Sequence, residues 1–188
     1  MVYKYGDVIV PNGESNGWKI SDRTVTPLES MMSSRHGSIY YCPEGTYKTL
    51  THGWDCVMSN TPMELRTQLP FIRAAKGKVH INGLGLGVVL LGVLIKPEVE
   101  SVTVVEYSED VLNLVAPSFA QFPNLTIIHD DALTYKPPAR IKYGAVWHDI
   151  WNGVCADNLN DMKLLHRRWG RKTDWQGSWS RDMIRNLK

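Results

Sequence analysis

The residues with the clearest chemical potential lie in the segment HINGLGLGVVL, where Gly83, Gly85 and Gly87 alternate with apolar residues. Glycines let a ligand approach the backbone closely, because no Cβ stands in the way. A dinucleotide fingerprint needs its third glycine five positions after the first, where Val88 stands. A phosphate-binding P-loop needs a lysine directly after its last glycine, and no lysine stands there. The spacing leaves either a nucleoside site or a tight turn that needs only small residues.

Acidic residues stand at the ends of the next three predicted strands. Glu106 ends SVTVVE, Asp130 ends LTIIHD and is followed by Asp131, and Asp149 lies near the end of YGAVWHDI. Ligands of open α/β sheets bind outside the carboxyl ends of the strands. A carboxylate one strand after a glycine loop is suited to accept hydrogen bonds from both ribose hydroxyls. The loop and the three strand ends together predict a nucleoside site at one edge of the sheet.

The elements that must position these residues alternate in type from Lys78 onwards. Strands rich in Val and Ile alternate with helices, which predicts a parallel sheet covered by helices. The segment VVLLGVLI is apolar all round and predicts a buried helix. The tail from Asp157 predicts helix, with no further strand. The predicted fold class is therefore α/β, with a Rossmann-like, mostly parallel sheet and flanking helices.

Residues 1–56 predict a small β-rich portion that precedes this core, which then covers residues 57–188. The segments VYKYGDVIVP, SIYY and TYKTLTH are rich in β-forming residues and are separated by turn residues. A helix is predicted to begin at Thr61, with Pro62 at its first position. Glu64 is expected to complete a capping box with Thr61.

The overall composition is that of an ordinary globular protein, with 188 residues, 43% hydrophobic residues and a net charge of +2. Three scattered cysteines predict neither a disulfide framework nor a zinc site, and they fit a reducing cytoplasm. The histidines and cysteines show no metal-ligand spacing. The longest apolar run, 84–95, is about 12 residues, short of the roughly 20 that a membrane span needs. A soluble cytoplasmic protein without membrane or metal partners is expected.

With these motifs, the sequence resembles the class I S-adenosylmethionine-dependent methyltransferase fold, and within it the spermidine-synthase-like branch, over roughly residues 46–151. The segment MELRTQLPFIRAAKGKVHING is similar to the part of that branch in which a glutamate-bearing helix and a Leu-Pro pair lead into the glycine strand. Glu64 is the matching acidic residue. The β-rich N-terminal portion is also similar to that branch. The resemblance implies S-adenosylmethionine, or its decarboxylated form, as the cofactor.

The resemblance also implies roles for single residues. The three loop glycines shape the cofactor site, and Glu106 holds the ribose. Asp131 or Asp130, beside Ala132, meets the adenine amino group. Asp149 faces the reacting centre as a general base, and Glu64, the matching acidic residue, lies on the substrate side. Trp151 is also expected on the substrate side, but from its position beside Asp149 and not from the resemblance.

Departures from the family pattern leave the reaction open. The second aspartate and the proline that follow in aminopropyltransferases are replaced after Asp149 by Ile150 and Trp151. The Asp-Pro-Pro-aromatic signature of amino-methyltransferases is not met either, and the C-terminal part is shorter than in the full fold. The sequence therefore predicts an S-adenosylmethionine-binding transferase, most simply a methyltransferase of unknown acceptor. An aminopropyltransferase and a non-catalytic nucleoside-binding module are the alternatives.

Three further features have both a functional and a structural interpretation. His148 is either a proton shuttle beside Asp149 or a hydrogen-bonding structural residue. Either Trp147 or Trp151 covers a bound ring, or both pack in the core. The tail HRRWGRKTDWQGSW either binds nucleic acid or forms a basic helix whose tryptophans dock on the sheet. The expected partner is a small-molecule acceptor or nucleic acid, and a homo-oligomer is left open.

Overall fold

The computed structural model describes residues 3–35 and 41–185, and the first of its two β-sheets is antiparallel. The four strands of this sheet lie in chain order. They are β1 (Gly13–Ser15), β2 (Trp18–Val25), β3 (Gly45–His52) and β4 (Asp55–Ser59). A helix, α1 (Pro27–Ser34), connects β2 to β3. The sheet confirms that a β-rich portion precedes the core, although β4 runs past the predicted boundary at residue 56.

The second sheet has five parallel strands with helices between them, which confirms the predicted fold class. In chain order, its elements are α2 (Pro62–Ala74), β5 (Gly77–Asn82), α3 (Val88–Leu94), β6 (Val99–Glu106), α4 (Glu109–Val115), a 3₁₀ turn (Ala116–Phe119), β7 (Leu125–His129), β8 (Tyr143–His148), α5 (Asn158–Trp169), β9 (Thr173–Ser178) and α6 (Arg181–Arg185). Among the described residues, no helix is both long and apolar enough to cross a membrane.

The strand order of the second sheet is β7-β6-β5-β8-β9. From β5 the chain adds β6 and β7 on one side, and then crosses over to add β8 and β9 on the other. The carboxyl ends of β5 and β8 therefore flank a switch point, the place where open α/β sheets bind their ligands. The glycine loop follows β5, and Asp149 follows β8 directly.

The two sheets share one hydrophobic core. Every residue of α3 is buried, as its apolar sequence predicts. The first sheet contributes Ile20, Leu50 and Met58 to the same cluster that holds α3 and the centre of the parallel sheet. The N-terminal sheet is thus packed directly against the parallel core, and this contact forms one wall of the site described below.

The prediction that the tail contains no further strand is wrong, because β9 pairs in parallel with β8. The segment Thr173–Ser178 lacks the apolar alternation that identifies strands, since it forms the sheet edge and only part of it packs inward. Its Trp175 stacks on Phe71, with ring centroids 5.9 Å apart. Tertiary contact, rather than local pattern, makes this segment a strand.

The prediction of a strand at VYKYGDVIVP is also wrong, because the described residues from 3 to 12 form no strand. Gly6 adopts a φ of +99° and turns the chain, which breaks any regular pairing there. The β-forming side chains are used for packing instead, since Tyr5, Val8 and Ile9 lie against the core. The strand predicted at SIYY falls mainly outside the described residues, whereas TYKTLTH lies in β3 as predicted.

The helix at Thr61 begins as predicted, but without the predicted capping box. The Glu64 carboxylate instead accepts hydrogen bonds from Ser59, at 2.7 Å from its amide and 2.8 Å from its hydroxyl. Ser59 offers two donors just before the helix, and together they draw the glutamate away from the Thr61 amide.

Candidate functional site

A cavity of about 440 Å³ lies at the carboxyl ends of β5, β6 and β8, within the usual size range of ligand pockets. The parallel sheet contributes the glycine loop and the segments after β6, β7 and β8. The N-terminal sheet contributes the opposite, largely apolar wall, formed by Trp18, Leu50, Val57 and Met58. The switch point and the N-terminal sheet therefore enclose one site together.

The three loop glycines all have positive φ angles, of +96° at Gly83, +50° at Gly85 and +72° at Gly87. A Cβ at Gly83 would overlap the Asp149 carbonyl oxygen, and one at Gly85 would overlap the Met58 sulfur. Gly83 and Gly85 line the cavity, whereas Gly87 lies outside it against Phe119. The loop needs glycine because the chain packs against it, which supports the tight-turn interpretation, and the role of the loop in binding a ligand stays a prediction.

Glu106 ties the loop to the end of β6. Its Oε2 accepts a hydrogen bond from the Leu84 amide at 2.7 Å, and its Oε1 accepts one from the Ser108 amide at 2.8 Å. The residue also lines the cavity. Each carboxylate oxygen has further acceptor capacity after one such bond. The geometry therefore lets Glu106 hold the loop and accept hydroxyl donors from a ligand.

The structure separates the two aspartates that follow β7. Asp131 lines the cavity, and its Oδ1 accepts the Leu133 amide at 2.8 Å. Asp130 is exposed and lies outside the cavity, where its Oδ1 accepts the Asp131 amide at 2.7 Å. Ala132 is buried and lines the cavity beside Asp131. Asp131 is thus the aspartate placed to meet a ligand, and Asp130 shapes its backbone.

Asp149 lines the cavity, and its environment disfavours its charge. Burial, followed by the negative charge of Glu64, raises the pKa of Asp149 to about 7. Its Oδ2 accepts a hydrogen bond from Trp147 Nε1 at 3.4 Å. Burial also raises the pKa of Glu64 to about 7, although Glu64 itself does not line the cavity. A carboxyl group with a pKa near neutrality is suited to accept a proton from a bound nucleophile.

No protein-family model and no curated protein matches the chain. Among solved structures it is similar to TrmN from Thermus thermophilus, at 14% identity and a TM-score of 0.50, over 67% of this chain and 40% of that one. It is also similar to spermidine synthase from Thermotoga maritima, at 15% identity and a TM-score of 0.49, over 87% of this chain and 63% of that one. A third is the 23S rRNA methyltransferase ErmE, at 14% identity and a TM-score of 0.47, over 60% of this chain and 45% of that one.

The chain has the class I S-adenosylmethionine-dependent methyltransferase fold. At these identities the likeness shows the fold alone, and the chain spans between 40% and 63% of the lengths of the three structures. The resemblance stated from the sequence is thereby confirmed at the level of the fold. The roles of single residues stay predictions, and the geometry decides which of them are placed to act.

His148 is buried and does not line the cavity of this methyltransferase fold. Asn82 Nδ2 donates to His148 Nδ1 at 2.7 Å, and His148 Nε2 lies 3.4 Å from Gln176 Oε1. On the other side, His80 Nε2 lies 2.9 Å from Asn82 Oδ1. Burial lowers the pKa of His148 to about 3 and that of His80 to about 4. These contacts favour the structural interpretation of His148 over a proton shuttle.

The two tryptophans around Asp149 have different surroundings. Trp147 is buried and stacks on Phe71, with ring centroids 5.4 Å apart. Trp151 lines the cavity, and its Nε1 donates to Asp161 Oδ2 at 3.4 Å. Trp151 is therefore the one placed to contact a bound ring, while Trp147 packs in the core.

The basic tail contributes a residue that sequence reasoning missed. The Arg168 guanidinium donates to the carbonyl oxygens of Ala132, Leu133 and Tyr135, at 3.0 Å to Ala132 and 3.2 Å to Tyr135. It thereby clamps the loop that begins at Asp131. The spacing gives a weak signal for this role, because Arg168 follows Leu165 by three residues and so lies beside the buried face of α5.

The tryptophans of the tail pack inward. Trp169 is fully buried, and Trp175 and Trp179 are partly buried against the core. Arg168 and these three tryptophans therefore make their contacts within the molecule. They support the interpretation in which the tail docks on the sheet.

The cavity is acidic. Three carboxylates, those of Glu106, Asp131 and Asp149, line it. Within the part of the chain that the structure describes, no lysine, arginine or histidine lines it. No group of three or more potential metal ligands is found among the described residues either. The site therefore favours neutral or cationic ligands over anionic ones.

Proposed function

We propose that the chain is an S-adenosylmethionine-binding methyltransferase that acts on a small-molecule acceptor. The observation that carries the proposal is the convergence of Gly83, Gly85, Glu106, Asp131 and Asp149 on one cavity at the switch point. These residues come from separate segments of the chain, and the fold brings them to a single edge of the sheet. The fold itself is that of class I methyltransferases, which supports an adenosyl cofactor.

The residues present fit such a cofactor. Glu106 can accept further hydrogen bonds, from the ribose hydroxyls, and Asp131 lies where its carboxylate can accept a hydrogen bond from the adenine amino group. Trp151 offers an aromatic face to the ring of the acceptor or the cofactor. A sulfonium cation is also compatible with a cavity lined by carboxylates and by none of the described basic residues.

The cofactor supplies a methyl carbon made electrophilic by the sulfonium sulfur. A nitrogen or oxygen of the acceptor would take this methyl group, its bond to the carbon forming as the carbon–sulfur bond breaks. Asp149 orients the acceptor and takes up the proton that the nucleophile loses. With its pKa near 7, the Asp149 carboxyl is able to accept and release that proton around neutral pH. His148 has no part in this step, because it lies outside the cavity.

Aminopropyl transfer from the decarboxylated cofactor is the second candidate. The observation that favours it is the acidic cavity, in which no described cation is available to pair with the carboxylate of S-adenosylmethionine. Ile150 and Trp151 stand where a second acidic residue would grip a diamine, so the acceptor would differ from that of a typical aminopropyltransferase.

Calorimetric titration with S-adenosylmethionine, its decarboxylated form and methylthioadenosine tests the proposal. We expect binding of at least one of them, and an affinity loss of about tenfold in Glu106→Ala, because hydrogen bonds to a charged group contribute about 1.5–3 kcal/mol. Glu100→Ala is the matched control, since it lies exposed at the opposite end of the same strand. Its affinity should equal that of the wild type.

Absence of binding by all three compounds would overturn the proposal. Unchanged affinity in Glu106→Ala would remove the ribose assignment alone. Turnover is then followed by mass spectrometry with amine, nucleic-acid and small-molecule acceptors. Methylated product supports the first candidate and aminopropylated product the second, while binding without turnover favours a non-catalytic nucleoside-binding module.

A further inference from the structure

Met58 lies where the N-terminal sheet meets the glycine loop. It belongs to β4, is buried and lines the cavity. Its sulfur lies 3.1 Å from the Leu86 amide and accepts its hydrogen bond. The same sulfur fills the space that a Cβ at Gly85 would need. The side chain of Met58 therefore covers the loop at the position of its second glycine.

This contact removes a donor that a ligand would otherwise find. Of the four amides from Leu84 to Gly87, three donate to atoms of the chain itself. Leu84 donates to Glu106, Leu86 to Met58, and Gly87 to the Leu84 carbonyl. A thioether is a weak acceptor, so a carboxylate would be the better partner for the Leu86 amide. Met58 stands between that amide and the cavity.

The surroundings of Met58 also disfavour an anion. Leu50 and Val57 line the cavity beside it, and the charged residues among the described lining are all acidic. A ligand carboxylate near the loop would lose water and would gain neither a described cation nor the Leu86 amide, so that among the four loop amides only that of Gly85 is left to it. Leaving a buried charge without such partners is costly.

We propose that Met58 shields the loop from the carboxylate of an adenosyl ligand, so that the site gains its affinity from the adenosyl part and from positive charge. This inference rests on the proposed function, because it concerns the same cofactor site. It makes Met58 a specificity-determining residue. Compounds without the carboxylate bind at least as tightly as those that carry it, and the amino-acid end of S-adenosylmethionine contributes little.

The test compares S-adenosylhomocysteine with its decarboxylated analogue, S-adenosyl-3-thiopropylamine, which differs only by the carboxylate. Calorimetry on the full chain gives both dissociation constants. For the wild type we expect the decarboxylated analogue to bind as tightly or more tightly. Valine is shorter than methionine and suits a strand. In Met58→Val we expect the affinity for S-adenosylhomocysteine to rise about tenfold relative to the affinity for the analogue, which is the effect of one charge-assisted hydrogen bond.

Met58→Leu is the matched control, because it keeps a similar volume over the loop and replaces the thioether by a branched hydrocarbon. Its ratio of dissociation constants should stay that of the wild type. Melting temperatures report whether both variants are folded, and the wild-type ratio needs no variant at all. A wild type that prefers S-adenosylhomocysteine tenfold, or a folded Met58→Val with an unchanged ratio, would overturn the inference. If neither compound bound the wild type, the proposed function itself would fail.

Discussion

Two clusters of polar side chains lie on the same parallel sheet, and they differ in what completes their hydrogen bonds. The first is the group of cavity carboxylates, Glu106, Asp131 and Asp149. The second is the histidine chain, which runs from His80 through Asn82 to His148 and on to Gln176. Asp149 and His148 are neighbours in sequence, yet they belong to different clusters.

Burial favours the neutral form of Asp149 in the first cluster and of both histidines in the second. It raises the pKa of Asp149 and lowers the pKa values of His148 and His80. A perturbed pKa therefore does not by itself separate a functional group from a structural one. The separation comes from the partners, because the histidine chain, apart from His80 Nδ1, is satisfied by its own members, whereas the carboxylates keep acceptor capacity that faces a cavity.

Asp149→Asn should produce the largest effect on activity. The amide cannot take up a proton, so we expect turnover to fall by about 100-fold or more, the usual contribution of a general base. Nucleoside affinity should be little changed, since Glu106 and Asp131 remain. Steady-state rates and calorimetry measure the two quantities. Asp157→Asn, an exposed residue near the start of α5, is the control. Full activity in Asp149→Asn would show that the carboxylate does not act as the base.

Asn82→Ala should affect stability instead of activity. The change leaves His80 Nε2 and His148 Nδ1 without their partner, and each buried unsatisfied group costs about 1–3 kcal/mol. We expect the free energy of unfolding, measured with urea, to fall by about 2–3 kcal/mol at neutral pH. Asn113→Ala, on the exposed face of α4, should change it by less than about 0.5 kcal/mol. A stable Asn82→Ala with lost turnover would instead place the histidine chain in the catalytic machinery.

Arg168→Leu tests a link between the tail and the cavity. Without the clamp on the carbonyls of Ala132 and Leu133, the loop that begins at Asp131 loses its support. We expect nucleoside affinity to fall about fivefold, or about 1 kcal/mol. Arg167→Leu removes the exposed neighbouring charge and should leave that affinity unchanged. Equal losses in both variants would indicate a general effect of positive charge, such as attraction of an anionic partner to the tail.

The glycine loop and the strand-end carboxylates could be predicted from the sequence because their signals are local. Each lies within a few residues of a Val- and Ile-rich strand, and parallel strands place their carboxyl ends at one edge. The choice between Asp130 and Asp131 could not be predicted, since it depends on which side chain the turn after β7 directs into the cavity.

Two copies of one pattern show where local reasoning stops. Thr26-Pro27-Leu28-Glu29 forms a full capping box at the start of α1, while Thr61-Pro62-Met63-Glu64 does not form one. The first was not predicted as a helix start and the second was predicted with a box. The difference arises from Ser59, whose amide and hydroxyl bind Glu64.

Met58, Arg168 and β9 could not be predicted for a related reason. Met58 reaches the loop across 28 residues of chain, and Arg168 reaches Ala132 across 36. The position of Met58 in its strand suggests no such contact, and the position of Arg168 beside the buried face of α5 gives only a weak signal. β9 is a strand because β8 offers it an edge, not because its sequence alternates.

The pH dependence of stability gives the smallest effect, and it compares a carboxyl group beside the cavity, that of Glu64, with the histidine chain. Burial raises the pKa of Glu64 from an ordinary 4.5 to about 7, so between these values the folded chain binds more protons than the unfolded one. The free energy of unfolding therefore falls as the pH rises through this window. The histidines act oppositely, because their pKa values are lowered, and their stabilising contribution is lost as the pH falls below 6.5.

Glu64→Gln removes the contribution of Glu64, and it leaves the contributions of Asp149, whose pKa is also raised to about 7, and of the histidines. At pH 8 its melting temperature should exceed that of the wild type by about 2 °C, and at pH 4.5 the difference should vanish. Glu109→Gln, exposed on α4, should follow the wild type at both values. Calorimetric melting across this range measures the difference. A Glu64→Gln variant less stable than the wild type at pH 8 would mean that the two hydrogen bonds from Ser59 outweigh the cost of burying the charge.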